Sequence, residues 1–101
     1  MRIQKTACSK LDYRIEWGRW LDDDDIITSF TIEPLTPNSN IVVFGKTIVD
    51  GKNTHFCLKG GTLGRCYKFK IHIVCAMPIS GEIVREECEI INVEIVRKIS
   101  N

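Results

Sequence analysis

The sequence predicts an all-β fold, an immunoglobulin-like antiparallel β-sandwich of about seven strands, and three observations carry that prediction. Apolar residues recur at every second position through much of the chain, which is the period of a strand with one buried face. Glycine, proline, asparagine and aspartate punctuate these stretches as turns. No segment makes a convincing helix. At 101 residues this pattern reads as a sandwich, here without the Cys-Trp-Cys spacing of antibody domains.

Each element follows from its own residues. The first ten, "MRIQKTACSK", carry little that would fold by itself, and residues 1–10 are expected to be an N-terminal arm ordered by a neighbour, with one sandwich domain over 11–101. "LDYRIEW" puts Leu11, Tyr13, Ile15 and Trp17 on one face and Asp12, Arg14 and Glu16 on the other. A corner, "GRWLDDDD", follows with a second tryptophan, Trp20. "DIITSFTIE" alternates through Ile26, Thr28, Phe30 and Ile32, and Pro34, Pro37, Asn38 and Ser39 end it.

"IVVFG" over 41–45 is a short apolar run, and Asp50-Gly51 is a turn dipeptide ahead of a strand over 54–59. "LKGGTLGRCYKFKIHIV" then places Gly60, Gly61 and Gly64 before a long strand. A phosphate-binding loop sets its glycines before a helix, whose N-terminal amides hold the anion. Here Tyr67, Phe69, Ile71 and Ile73 alternate with Lys68, Lys70 and His72, so the glycines are expected to form a hairpin. "MPISGE" connects to "EIVREECEIINVEIVRK", where Ile91, Val93 and Ile95 alternate. A helix over 82–98 is the rival reading because of its glutamates; the abundance of Ile and Val, stiff at χ1, favours a strand.

Composition bounds the function. The chain is long enough for one core and too short for two. Fourteen Lys+Arg against 13 Asp+Glu give a formal net charge of +1, so no overall field recruits nucleic acid or an anionic membrane. The acids cluster at Asp22–Asp25 and Glu86–Glu89. No apolar run approaches the roughly 20 residues that cross a bilayer, and the basic start has no apolar core of a secretory signal; folding in a reducing cytoplasm is the expectation. The five cysteines, Cys8, Cys57, Cys66, Cys75 and Cys88, are an odd set without a C-x-x-C knuckle, and are expected to be buried or half-buried free thiols.

The residues offer little catalytic chemistry. Asp22–Asp25 lacks the alternating spacing of a calcium loop and reads as a solvated turn in which Asp24 or Asp25 bonds backbone amides. His55 or His72 beside Cys57 or Cys66 would need a third, orienting group that no motif supplies. An enzyme, a cofactor and a metal are therefore not expected. Trp17 continues a buried face, while Trp20 is placed to close the sandwich or anchor a partner. Lys59, Arg65, Lys68 and Lys70 form a modest basic stripe without interleaved aromatics, by default a solvated face. Exposed edge strands are guarded by charge or used to pair with another chain.

Two stretches resemble a known family. "LDYRIEWGRWLDDDDIITSF" is similar to the opening of the small tailed-bacteriophage virion proteins called fibre-tail adaptors, with Asp12, Trp17, Trp20, Leu21, Asp24 and Ile26 on the pattern. "LKGGTLGRCYKFKIHI" resembles their glycine hairpin through Leu58, Gly60, Gly61, Gly64 and Tyr67, and "SGEIVREECEIINVEI" their final turn and strand. Lys59 departs from the usual serine, Phe30 from a frequent tryptophan, and the cysteines are unusual. The resemblance spans residues 11–96.

It implies a non-enzymatic virion subunit at the tail or baseplate that links fibres to the tail, folded in the host cytoplasm during assembly. Implied partners are other tail, baseplate and fibre proteins in a symmetric multi-copy assembly, with no nucleic acid and no membrane. Expected interface residues are Arg2, Lys5, Trp20, Asp22 and Asp23 at one surface, and Lys59 and Arg65 at the turn around Gly60–Arg65. Tyr67 is expected to tie that corner. The alternatives are a capsid decoration or head-tail joining protein and, in another class, a glycan- or receptor-binding module.

Overall fold

β-Branched and aromatic residues at alternate positions dictate strands throughout the computed structural model, which describes residues 2–77 and 79–98. Among the described residues the strands are β1 (Arg2–Thr6), β2 (Lys10–Glu16), β3 (Ile27–Pro34), β4 (Ile41–Val49), β5 (Asn53–Gly60), β6 (Cys66–Ala76) and β7 (Ile83–Val96). One turn of 3₁₀ helix, Gly18–Trp20, is the only helical element among them. The rival helix over 82–98 is a strand, because residues 91, 93 and 95 are buried while their neighbours are not.

Two sheets pack face to face, β1-β7-β6-β3 against β2-β5-β4. Every pairing is antiparallel except β1 with β7, which is parallel. With the first strand moved to the edge beside the last, this is the strand order of an immunoglobulin-like sandwich. Tyr67, Phe69, Ile71 and Ile73 of β6 and Ile91, Val93 and Ile95 of β7 supply one wall of the core; Ile15, Trp17, Phe56 and Leu58 supply the other. Thr54 is buried among them and its hydroxyl accepts the Trp17 Nε1–H at 3.0 Å, so no buried donor is left over at that tryptophan.

Several expectations are corrected. The stretch set apart as an arm over 1–10 contributes β1 and the first residue of β2; Arg2 to Thr6 pair with Asn92 to Val96. Met1 and residues 99–101 of the expected spans, and Pro78 of the "MPISGE" connection, lie outside the described residues. Ile26 is not a core residue: it is 55% exposed and Ile27 is 3% exposed, because the register with β6 shifts between Ile27 and Ser29, and a bulge reverses the face of what precedes it.

The glycine turn is not a hairpin either, since β5 and β6 belong to different sheets. It is a corner between sheets. A Cβ on Gly60, where φ is +93°, would lie 2.7 Å from the Asn40 carbonyl oxygen. The Tyr67 hydroxyl ties this corner, accepting the Thr62 N–H at 2.9 Å and donating to Asn40 Oδ1 at 2.6 Å. This is the tyrosine corner of such sandwiches.

All five cysteines are free thiols, but only Cys75 is buried and Cys57 half-buried; Cys8, Cys66 and Cys88 are exposed. Cys66 shares the outward side of β6 with Lys68, and Cys88 lies opposite His72. Strand membership fixed their face, and for these two the face is the solvated one.

Candidate functional site at the Trp20 end

Antiparallel connectivity brings three connections to one end of the sandwich: residues 17–26 between β2 and β3, 50–52 between β4 and β5, and 77–82 between β6 and β7. The middle one is a tight turn. Asp50 and Gly51 have φ of 55° and 65°, the left-handed pair that matches strand twist in a two-residue hairpin turn. The Gly51 carbonyl then accepts the Ile27 N–H at 2.8 Å, and the Lys52 carbonyl accepts the Trp17 N–H at 2.9 Å. The first connection is thereby fastened at both ends to the second.

Lys52 does the rest. Its ammonium donates to the backbone carbonyls of Asp22 (2.6 Å), Asp23 (3.2 Å) and Asp25. A cation carried by the chain itself occupies the concave side of the acidic turn. Asp25, only 8% exposed, accepts the Asp22 backbone N–H at 2.8 Å and the Arg85 Nε–H at 2.5 Å. Arg85 also donates from Nη2 to Asp22 Oδ2 at 2.9 Å. The Asp22 N–H, reinforced by Arg85 and Lys52, holds the Asp25 carboxyl below the usual carboxylate range against the opposing effect of burial. The bond that Arg85 donates to Asp25 raises the guanidinium further.

The expectation that Asp24 or Asp25 bonds a backbone amide is therefore met by Asp25. What the residue run does not reveal is that two basic residues far along the chain hold it. Sequence reasoning passed over both Lys52 and Arg85; the one available signal was an arginine alone among the glutamates of "EIVREECE".

Around this clamp the surface is apolar with an acidic fringe. Trp17 is buried at 1% exposure and Trp20, edge-on to it at 5.8 Å between ring centroids, is 44% exposed. Leu21 is buried beneath the turn. Ile26, Met77, Ile79, Ile83 and Val84 are exposed at the same end, and Asp22, Asp23 and Asp24 stand out beside them. Large exposed apolar side chains around a turn held by Lys52 and Arg85 suit protein recognition.

The remaining predicted interface residues are elsewhere. Lys5 is fully buried and donates to the carbonyls of Thr6 at 2.8 Å and Gly60 at 2.7 Å, which corrects its expected surface role. Burial lowers its pKa, with Cys8 acting in the opposite sense. Arg2 is exposed and pairs with Glu94 at 2.7 Å. Arg65 stacks its guanidinium 4.9 Å from the Tyr67 ring centroid, and Lys59 is exposed on β5. Thus residues 2–10 gather with the glycine corner, not with Trp20: β6, eleven residues long, separates the two ends by roughly 35 Å.

The basic stripe is divided as well, Lys59 lying on one sheet and Lys68 and Lys70 on the other. Asp12 is on the outer face of β2, where its carboxylate accepts the Cys57 thiol at 2.8 Å. That bond pushes the thiol pKa up, the reverse of what a nucleophile needs. His72 pairs with Glu86 at 3.0 Å.

A family model described as "Podophage GP4 fiber-tail adaptor protein gp77" matches residues 5–87. No curated protein matches the chain.

Proposed function

Because the chain belongs to the podophage fiber-tail adaptor family, we propose that it links a tail fibre to the tail by binding and without catalysis, and that the Trp20 end is one of its two contact surfaces. The observation that supports this reading most is the combination of exposed Trp20, Ile26, Met77, Ile79 and Ile83 with the acidic turn over 22–25 held by Lys52 and Arg85. Pre-ordered turns lose little entropy on association, so their apolar area goes into affinity. The glycine corner, fixed by Tyr67 and carrying Lys59 and Arg65, is the second surface.

The partners are tail and fibre proteins of the same virus, met in a symmetric multi-copy assembly in which many modest contacts act together. Assembly takes place in the host cytoplasm, with neither nucleic acid nor membrane as a partner. The test is co-purification of the chain with the fibre and tail proteins of the same virus. Trp20→Ala with Asp23→Lys should weaken capture of one partner by about tenfold or more and leave capture of the other unchanged. Undiminished capture of both would remove the Trp20 end from the account, and capture of neither by the unaltered chain would remove the adaptor role.

A further inference from the structure

The N-terminal half of β7 has an edge with no strand beside it among the described residues. On one side β6 pairs with β7 from Ile83 to Glu94, whereas on the other β1 reaches only from Asn92 to Val96. Backbone direction identifies the groups left over. Ile95 donates its N–H to Arg65 and accepts the Gly64 N–H, both at 3.0 Å, so odd-numbered residues of β7 turn their backbone groups toward the β6 side and even-numbered ones away from it. Asn92, Glu94 and Val96 meet β1 there. Glu86 and Cys88 meet no strand among the described residues, and both are exposed.

An open edge is normally blunted by charge, and the glutamates here do bar one occupant. A second copy laid along its own β7 would set Glu86 and Glu87 against their like, which is repulsive across a strand pair. The edge is not otherwise closed. Glu87 has no ion pair among the described residues, Glu86 has among them only the half-exposed His72, diagonal to it on β6 at 3.0 Å, and Ile83, Val84 and Ile90 are each about half exposed beside them, at 55%, 52% and 46%. Acidic side chains flanking free backbone donors and acceptors, with aliphatic surface adjoining, complement an extended basic segment.

We propose that this edge takes up, as an added strand beside Glu86 and Cys88, an extended segment of a partner protein with lysine or arginine at alternate positions. The proposal rests on the adaptor reading and adds to it the kind of segment that is bound. It is tested on the full chain alone, with a decapeptide of alternating lysine and valine and a control of alternating glutamate and valine. Amide resonances and hydrogen exchange are followed by NMR.

The expected result is saturable protection of the Glu86 and Cys88 amides by the basic peptide and none by the acidic one. Glu86→Pro deletes an outward N–H without touching the bonds of Arg85 and Glu87 to β6; Glu86→Lys with Glu87→Lys reverses the charge and keeps the backbone groups. Either should weaken binding by about tenfold. The proposal is overturned if the basic peptide leaves these amides unprotected, if both peptides protect them equally, or if they are already protected by self-association that rises with concentration. A chain that still joins fibre and tail proteins while the peptide leaves Glu86 and Cys88 untouched keeps the adaptor reading and loses this one.

Discussion

The Lys52 ammonium lies 2.6 Å from the backbone carbonyl oxygen of Asp22, across a connection of thirty residues. It also serves the carbonyls of Asp23 and Asp25, so one side chain shapes the acidic turn. Lys52→Met keeps the stem and removes the donor, leaving three carbonyls to find water. We expect stability to fall by roughly 1–2 kcal/mol and amide exchange to quicken at Asp25 and Ile27, measured by thermal unfolding and NMR. An unchanged turn would mean that Arg85 alone suffices.

Asp25 should give the fold an acid-sensitive limb. Its carboxyl titrates below the ordinary value of 3.8 in the folded chain, so below 3.8 the unfolded chain takes up the proton first. Its contribution is therefore complete above pH 3.8 and is lost as pH falls through the lower, folded value. Asp25→Asn should be less stable than the parent at neutral pH and lose less on acidification. Melting temperatures between pH 2 and 6 check both parts.

Tyr67→Phe removes one oxygen from a fully buried ring and leaves the Thr62 N–H and Asn40 Oδ1 without their partner. The expected cost is about 1–3 kcal/mol, read from the urea midpoint at unchanged m-value. A loss below a few tenths would mean that water replaces the hydroxyl.

Gly60 and Gly64 both hold positive φ, +93° and +85°, yet only Gly60 has backbone where a Cβ would go. Gly64→Ala should cost roughly 1 kcal/mol of backbone strain. Gly60→Ala must add displacement of the Asn40 carbonyl, and should therefore be clearly the less stable of the two in parallel denaturant titrations.

Faces were legible in the sequence, and neighbours were not. Alternation identified the buried sides of residues 67–73 and 91–95 and of Trp17, because a strand's period is a local property. It said nothing about which strand lies beside which, so the glycine corner was read as a hairpin, and the parallel pairing of β1 with the distant β7 was missed. The bulge between Ile27 and Ser29 shifted the buried face at Ile26 for want of any glycine to announce it. At the site, Trp20 and the acidic run stood out, whereas Lys52 and Arg85 acquire their meaning only when three connections meet.

The central claim, that the Trp20 end is a contact surface of a fibre-tail adaptor, is tested most directly by cryo-electron microscopy of the intact virion at side-chain resolution. The account predicts the sandwich between tail and fibre, with Trp20, Asp23 and Met77 covered by a neighbouring protein. The sandwich found on the head, or in the tail with its Trp20 end open to solvent, would contradict it.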